Sequence, residues 1–250
     1  MTCHQHPEGG PAEAPRPSPR ALICDIDGTI TDARRRINTD AIHVIRTLVD
    51  NGVPVVLASG NTICSLDILC KMIGTDGTII AENGGVFRVT FQGKPRVCGD
   101  QALCWAAFHV LEAYFGEKGV QLELYSPDYR VADVAFARTV DVDEVRTVLR
   151  DHHVRVLDTG FAIHLQTPGV HKGSAFIRLA ADMGLTPADF IAIGDSENDA
   201  ELVRSAGIGG AVANGQQVTK DAADYVTKKM YGDGFVEFVR ACFSHYFLER

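Results

Sequence analysis

The sequence is poor in several features that mark whole classes of protein. It has no apolar run of about 18 residues, the length that crosses a bilayer, so a membrane span is not expected. Its seven cysteines form no CxxC pair, which favours reduced, mostly buried thiols in a cytosolic protein over zinc or dithiol motifs. Basic residues number 24 against 32 acidic ones, and the net charge of −8 argues against nucleic acid or an anionic membrane as partner. These absences are compatible with a small-molecule enzyme that binds a cation.

The N-terminal segment lacks the apolar core of a signal peptide and is rich in Pro, Gly, Ala and Glu. We interpret residues 1–20 as a disordered extension. Cys3, His4 and His6 are metal-ligand types, but a flexible tail is not expected to hold a structural site. The rest of the chain is long enough for one large domain or two smaller ones.

Short apolar runs recur along the chain, and each ends abruptly in small or polar residues. Such runs without polar alternation are typical of parallel strands buried on both faces. Helical patterns separate them, the first with Asn38 or Thr39 as N-cap and Gly52 after its end. Strand and helix alternate, which predicts an α/β fold with a doubly wound parallel sheet. The runs are ALICDIDGT (21–29), VPVVLASGN (53–61), TIIAENGG (78–85) and DFIAIGDSEND (189–199), and the helical patterns lie at 38–52, 171–184 and 198–207.

Residues 86–165 break this alternation. The stretch GGVFRVTFQGKPRVC predicts a hairpin, helices are expected at Ala102–Phe115 and near Asp143–His152, and short strand patterns surround them. We interpret the segment as an inserted α+β cap subdomain over one end of the sheet. The core domain then comprises residues 21–85 and 166–250.

Polar residues collect at the ends of the predicted strands, where open α/β sheets bind ligands. Asp25 and Asp27 are two apart on an extended segment, so both carboxylates point the same way. Gly28 after them permits a tight turn with free N–H groups. Lys172 opens a helix and adds a cation beside its amides. The other elements are Ser59-Gly60-Asn61, a hydroxyl in a glycine turn, and the acidic Asp195-Ser196-Glu197-Asn198-Asp199.

Together these groups fit phosphoryl-transfer chemistry. Mg²⁺ prefers oxygen ligands and is often held by one or two carboxylates plus a substrate phosphate. The metal and Lys172 would neutralise charge on a phosphoryl group. One of Asp25 and Asp27 would attack phosphorus, and the other would protonate the leaving oxygen and then activate water. A phospho-accepting regulatory module also uses carboxylates, Mg²⁺ and a lysine, but it needs neither the second aspartate nor a cap.

The same four elements, in this order, resemble the motifs of the haloacid dehalogenase superfamily of aspartate-nucleophile phosphatases. The DxDGT motif is Asp25-Ile26-Asp27-Gly28-Thr29, the second motif ends in Ser59, the third is Lys172, and GDxxND is Gly194–Asp199. The resemblance extends from about Ala21 to the C-terminus. The insertion between the second and third motifs matches the subclass with a large α/β cap.

This resemblance implies a role for each matched residue. Asp25 would be the nucleophile and a Mg²⁺ ligand, and Asp27 would be the acid/base and give the metal its backbone carbonyl. The remaining roles are phosphate binding by Ser59, Gly60, Asn61 and Lys172, and completion or orientation of the metal shell by Asp195 and Asp199.

Several stretches look most like archaeal-type phosphoglycolate phosphatases: LASGNT, AENGG, DTGFAIH, HKGSA and GDSENDAEL. Many relatives in the sugar-phosphatase branch have arginine where this chain and the archaeal type have Asn61. The implied reaction is hydrolysis of 2-phosphoglycolate to glycolate and phosphate. A sugar-phosphate phosphatase with the same site is the alternative, and a phospho-accepting regulatory module is a remote one. A dehalogenase is disfavoured, because Asp27, Asp195 and Asp199 indicate a metal and phosphate chemistry.

The residues that select the substrate are expected in the cap. Arg130 is either a solvated or structural arginine, the favoured interpretation, or a cation that meets a substrate carboxylate. His164 alternates with apolar neighbours, which predicts a half-buried strand residue. Asn83 and Gly84 are expected to shape the entry into the insertion. The sequence leaves open whether the chain forms a homodimer.

Overall fold

The computed structural model describes residues 19–247, and the strands in this range form two separate sheets. The strands are β1 (Ala21–Asp25), β2 (Val55–Ala58), β3 (Ile79–Ala81), β4 (Val86–Arg88), β5 (Arg96–Val97), β6 (Val134–Ala137), β7 (Arg155–Asp158), β8 (Ala162–Gln166), β9 (Phe190–Gly194), β10 (Ile208–Ala211) and β11 (Tyr225–Val226). The large sheet has the order β11-β10-β9-β1-β2-β3-β4-β5, and the small sheet has the order β6-β8-β7. The helices are α1 (Thr39–Asp50), α2 (Ile63–Ile73), α3 (Gln101–Glu117), α4 (Val142–Val148), α5 (Lys172–Asp182), α6 (Ala200–Ser205), α7 (Gln217–Ala222) and α8 (Tyr231–Cys242).

Strand β1 lies inside the large sheet and is buried on both faces. It pairs in parallel with β2 on one side and with β9 on the other. Leu22 and Cys24 join one hydrophobic cluster, while Ala21 and Ile23 join another. Burial on both faces explains why the strand is apolar without alternation.

Helices cover both faces of the large sheet. Helices α1, α2 and α8 contribute to one hydrophobic cluster, and α5 and α6 contribute to the other. Helix α1 is capped by Asn38, whose Oδ1 accepts hydrogen bonds from the backbone N–H groups of Asp40 at 2.8 Å and Ala41 at 3.1 Å. The predicted doubly wound α/β arrangement is therefore confirmed.

The small sheet is antiparallel and has a hydrophobic cluster of its own. Helices α3 and α4 pack on it, with Phe108 of α3 tilted against Phe136 of β6 at a centroid distance of 5.7 Å. This unit has the mixture of strands and helices predicted for the insertion. Helix α4 ends at Val148, before the predicted end near His152.

The hairpin predicted at residues 84–98 forms as β4 and β5, but it extends the large sheet. Strand β4 pairs antiparallel with β3, and β5 pairs antiparallel with β4. Val86 and Phe87 are buried there, so the hairpin covers what would otherwise be an open apolar edge. We therefore propose that the inserted unit begins near Gly99, after the hairpin, and not at residue 86.

Most of the N-terminal extension predicted at residues 1–20, with its Cys3, His4 and His6, lies outside the described residues. Arg20 is described, and its backbone N–H donates to the carbonyl of Asp189 at 2.7 Å. Within residues 19–247, no helix combines the length and apolarity needed to cross a bilayer. The cysteines in the same range are free thiols.

Candidate active site

The carboxyl ends of three parallel strands meet at one edge of the large sheet. Asp25 is the last residue of β1 and is in register with Ala58 of β2. Ser59 follows β2 directly, and Asp195 follows β9. The topology thus brings together motifs that are far apart in the sequence.

Lys172 connects two carboxylates of this edge. Its Nζ lies 2.6 Å from Oδ1 of Asp25 and 2.7 Å from Oδ1 of Asp199. All three side chains are buried, and the lysine is only 1% exposed. Lys172 is the first residue of α5, whose N-cap His171 accepts a hydrogen bond from the backbone N–H of Ser174 at 3.2 Å. This N-cap fixes the start of α5 and so the position from which the Lys172 side chain extends.

The cluster holds more negative than positive charge. Burial and then the neighbouring charge of Asp199 raise the pKa of Asp25 well above its ordinary value. The same two causes raise the pKa of Asp195 to about 7. Burial disfavours the charged form of Lys172, but Asp199 and Asp25 outweigh it and raise the pKa of the lysine. An added cation would favour the ionised form of these carboxylates.

A divalent cation fits the oxygen atoms of this cluster. Asp25, Asp195 and Asp199 each place a carboxylate oxygen within 4.8 Å of the others. Oδ2 of Asp25 is enclosed and has no hydrogen-bond partner, which is costly unless a cation compensates it. Asp199 is more occupied, because Oδ1 contacts Lys172 and Oδ2 accepts from the backbone N–H groups of Asp195 and Ser196, each at 3.1 Å. Hard cations such as Mg²⁺ prefer all-oxygen ligand sets of this kind.

Gly28 allows the loop after β1 to approach Asp195. Its φ of +89° is a left-handed conformation that favours glycine. An added Cβ would lie 2.3 Å from Oδ2 of Asp195. The next residue, Thr29, donates from Oγ1 to Oδ1 of Asp195 at 3.4 Å. The turns that follow β1 and β9 therefore form one wall of the site.

The loop after β2 packs beside the second aspartate of β1. Oγ of Ser59 accepts hydrogen bonds from the backbone N–H and the Nδ2 of Asn61, both at 3.1 Å. Nδ2 of Asn61 also lies 3.3 Å from Oδ2 of Asp27. At Gly60, an added Cβ would lie 2.9 Å from Nδ2 of Asn83. A side chain at residue 60 would thus push this loop away from the sheet edge.

A cavity of about 420 Å³ adjoins the sheet edge and the inserted unit. Tyr125, Arg130 and His164 of the inserted unit contribute to its wall. Lys172 and Asp199 lie behind the wall, buried against Asp25. The predicted site residues that line the cavity are Asp25, Asp27, Ser59, Gly60, Asn61 and Asp195.

Asn83 lines the same cavity and has a larger part in the site than its predicted role at the entry to the insertion. Its Oδ1 accepts a hydrogen bond from Nδ2 of Asn198 at 2.8 Å, and its Nδ2 lies 3.3 Å from Nδ1 of His164. Its φ is +53°, which asparagine tolerates better than most residues. The AENGG stretch therefore carried a local signal for this unusual backbone.

Arg130 is structural, in agreement with the favoured interpretation. Its Nη1 lies 2.6 Å from Oδ1 of Asp133, and Nε donates to the carbonyl of Tyr125 at 3.0 Å. Nη1 and Nη2 each lie 3.3 Å from the carbonyl of Gly60. The expectation for His164 is wrong, since it is 2% exposed and not half-buried. Its Nδ1 lies 2.9 Å from Oδ2 of Asp133, and this pairing allows the ring to be buried.

Comparisons with known proteins agree with one another. A sequence profile of haloacid dehalogenase-like hydrolases matches residues 22–156 and 134–239. The chain is 61% identical over 230 residues to a phosphoglycolate phosphatase of Methanoculleus marisnigri, covering 91% of this chain and 98% of the relative. It is 49% identical to a phosphoglycolate phosphatase of Methanospirillum hungatei, covering 90% and 97%. The crystal structure of Thermoplasma acidophilum 0175 superposes with a TM-score of 0.79 at 27% identity, covering 93% of this chain and 100% of that one.

Proposed function

The chain belongs to the haloacid dehalogenase-like hydrolase family, and from that premise we propose that it hydrolyses 2-phosphoglycolate to glycolate and phosphate. The observation that carries the proposal is the buried Lys172–Asp25 contact of 2.6 Å beside the carboxylates of Asp195 and Asp199. This arrangement supports an aspartate nucleophile with a cation on each side. The substrate is supported by the two archaeal relatives, which bear this activity in their names and match nearly their whole length.

The reaction has two halves, both centred on Asp25. A carboxylate oxygen of Asp25 attacks phosphorus, the bond from phosphorus to the glycolate oxygen breaks, and Asp27 donates a proton to that oxygen. Asp27 then takes a proton from water, whose oxygen attacks phosphorus and displaces the Asp25 carboxylate. Asp27 ends in its starting protonation state, and one water is consumed.

The surrounding residues balance the charge of the phosphoryl group. Lys172 favours the ionised nucleophile and places positive charge beside the reacting oxygen atoms. Ser59 would offer its hydroxyl hydrogen and Gly60 its N–H to the phosphoryl oxygens from the other side of the cavity, while Asn61 holds the Ser59 hydroxyl in place. These donors are held in place before the substrate binds, which lowers the cost of reorganisation.

The acidic cluster would hold Mg²⁺ through Asp25 and Asp195, with the backbone carbonyl of Asp27 as a further ligand. When bound, the metal supplies positive charge that offsets the transferring phosphoryl group. Both oxygens of Asp199 have partners in the protein, so this residue orients Lys172 and the backbone of Asp195 at the edge of the metal shell.

The inserted unit would act as a cap over this site, and the core comprises residues 21–85 and 166–250 together with the β4–β5 hairpin. A cap that closes over the cavity excludes water from the first half-reaction. We place the enzyme in the cytoplasm, with a small phosphorylated metabolite as its binding partner.

A phosphatase panel with Mg²⁺ tests the proposal. We expect kcat/KM for 2-phosphoglycolate to exceed that for hexose phosphates by about tenfold or more, which is roughly 1.4 kcal/mol of transition-state preference. Equal or faster turnover of hexose phosphates would favour the sugar-phosphatase alternative. A single phosphorylation without turnover of any substrate, including an aryl phosphate, would favour a phospho-accepting regulatory module.

A further inference from the structure

His164 and Asp133 form a buried pair in the inserted unit. His164 lies on β8, opposite Ala135 of β6, and Asp133 immediately precedes β6. Nδ1 of the imidazole is 2.9 Å from Oδ2 of the carboxylate, and the two residues are 2% and 1% exposed. An ionised carboxylate only accepts hydrogen bonds, so the proton of this contact belongs to Nδ1 of His164.

The other ring nitrogen of His164, Nε2, is unpaired within the described range. Nε2 has no hydrogen-bond partner among residues 19–247, and it does not belong to the four enclosed side-chain atoms that lack a partner. His164 lines the same cavity as Asp25 and Ser59. The small exposed part of the ring therefore includes a polar nitrogen that faces the cavity, on a side chain that is otherwise fully packed.

Asp133 gives the ring of His164 an acidic partner that is held in place by further contacts. Burial opposes ionisation of Asp133, but its contacts with His164 and Arg130 outweigh burial and lower the pKa of the carboxyl. Glu82 is the other acidic group nearby, and it accepts from the backbone N–H of Asp133 at 3.2 Å. A substrate carboxylate at Nε2 would place the ring between two carboxylates, so that both ring nitrogens would donate.

The two arginines of the cavity wall differ from His164 in their contacts and exposure. The guanidinium of Arg130 contacts Asp133 and the carbonyls of Gly60 and Tyr125. The guanidinium of Arg35 stacks over the ring of Phe161 at 4.0 Å from its centroid. Arg35 is exposed and keeps its guanidinium N–H groups free, whereas Nε2 of His164 is an unpaired ring nitrogen on a side chain that packing holds in place within the described wall.

We propose that Nε2 of His164 binds the carboxylate of the substrate while the phosphoryl group lies against Asp25, so that His164 selects for a phosphorylated carboxylic acid. The inference rests on the proposed function, because it names the residue that recognises the non-phosphoryl end of 2-phosphoglycolate. Asp133 is a positioning residue in this arrangement, since it fixes the tautomer and the orientation of the ring.

Two variants distinguish the roles of the two ring nitrogens of His164. Asparagine in His164→Asn keeps a donor near the position of Nδ1 and loses the one at Nε2, while glutamine in His164→Gln keeps a donor near Nε2. The substrates to compare are 2-phosphoglycolate and 2-hydroxyethyl phosphate, in which a hydroxymethyl group replaces the carboxylate. His109→Asn is the matched control, because His109 is an exposed histidine of the same unit and is not in the cavity wall.

We expect His164→Asn to raise KM for 2-phosphoglycolate by about 10- to 100-fold, the effect of losing one charge-assisted hydrogen bond. The change for 2-hydroxyethyl phosphate should be less than about threefold, and His164→Gln should recover part of the loss. His109→Asn should match the wild type with both substrates. Equal losses on both substrates in His164→Asn would overturn the proposal, as would a selective loss in Arg35→Gln with none in His164→Asn.

A wild-type enzyme without any preference for 2-phosphoglycolate over 2-hydroxyethyl phosphate would overturn the proposed function itself, before any His164 variant is made. A second measurement does not depend on the folding of a variant at residue 164. In nitrogen NMR of histidine-labelled Asp25→Asn protein, 2-phosphoglycolate should shift one Nε2 signal that 2-hydroxyethyl phosphate leaves in place. The absence of such a shift at saturating 2-phosphoglycolate would overturn the proposal.

Discussion

At Lys172 one buried ammonium faces two buried carboxylates, and each of the three groups is costly without the others. Taking charges out of water costs several kcal/mol per ion, and only close contacts in low dielectric offset that cost. Contacts of 2.6 and 2.7 Å to Asp25 and Asp199 meet this condition. The same contacts that hold the fold together at this point also prepare the nucleophile.

The variant Lys172→Met should therefore lose both activity and stability. We expect kcat to fall by roughly 10²-fold or more, because positive charge beside the phosphoryl group is lost. The free energy of unfolding should fall by about 3–5 kcal/mol, because Asp25 and Asp199 are left as buried charges without their cation. Phosphate release assays and urea unfolding in EDTA measure the two effects.

Lys118→Met is the matched control. Lys118 also contacts a carboxylate, that of Glu144, but on the exposed surface of the inserted unit. Its removal should leave the urea midpoint and kcat close to the wild type. If Lys172→Met is as stable and active as Lys118→Met, the lysine has neither role.

At the scale of elements, Glu82 joins the large sheet to the inserted unit. Its carboxylate accepts hydrogen bonds from the backbone N–H groups of Val131, Ala132 and Asp133 at 2.8–3.2 Å. It is fully buried, and burial followed by the charge of Asp133 raises its pKa to about 7. One side chain thus holds the segment that leads into β6 against the end of β3.

Glu82→Gln should loosen this connection. In glutamine an NH₂ group replaces Oε1, which accepts from the N–H of Val131, and the oxygen that remains is uncharged. The hydrogen bonds to the segment should weaken by about 2 kcal/mol in all. Hydrogen exchange at residues 131–133 should become faster, while exchange in β1 stays unchanged. Glu144→Gln on the exposed surface is the control, and equal exchange at residues 131–133 in both variants would show that Glu82 does not hold the segment.

Elements with strong local patterns were predictable from the sequence. The apolar runs of β1, β2, β3 and β9 and the capped stripe of α1 were each readable, because double burial and an N-cap leave clear signatures. Strands β10 and β11 were not foreseen. The first reads Ile-Gly-Gly-Ala, in which two glycines disfavour a strand, and the second is only two exposed residues long, too short to show a pattern.

The site residues that belong to a sequence motif were predictable. Those that are brought together only by the three-dimensional fold were not. Asp25, Asp27, Ser59, Lys172 and Asp195 follow strands or open a helix, so the parallel topology was enough to bring them to one edge. The hydrogen-bond partners of Arg130 and His164 could not be predicted from the sequence. Their shared carboxylate, Asp133, comes from strand pairing in the inserted unit, and no local sequence pattern indicates it.

At the scale of the whole molecule, the acidic cluster makes stability depend on pH and on Mg²⁺. Asp25 and Asp195 have raised pKa values, that of Asp195 being about 7, so between about pH 4 and pH 7 the folded chain binds more protons than the unfolded chain. The free energy of unfolding should then fall as the pH rises through this window. Glu82 contributes in the same direction.

Saturating Mg²⁺ should flatten most of this decline, because it binds the ionised carboxylates of the folded state. Urea unfolding across the window, in EDTA and in Mg²⁺, measures the difference. The pH dependence of the free energy of unfolding that remains in Mg²⁺ is attributed to Glu82, and it should disappear in Glu82→Gln. A free energy of unfolding that rises with pH in EDTA, or that is the same in EDTA and in Mg²⁺, would contradict the charge balance of the site.

The claim on which the whole account depends is that Asp25 carries the phosphoryl group between its two transfers. The direct measurement uses Asp27→Asn, in which hydrolysis of the intermediate is slowed. The protein is quenched during reaction with 2-phosphoglycolate and Mg²⁺, and the phosphorylated residue is mapped by mass spectrometry. The account predicts phosphate on Asp25, none in Asp25→Asn, and a loss of about 10⁴-fold or more in kcat for that variant. Phosphate on another residue, or substantial turnover by Asp25→Asn, would contradict it.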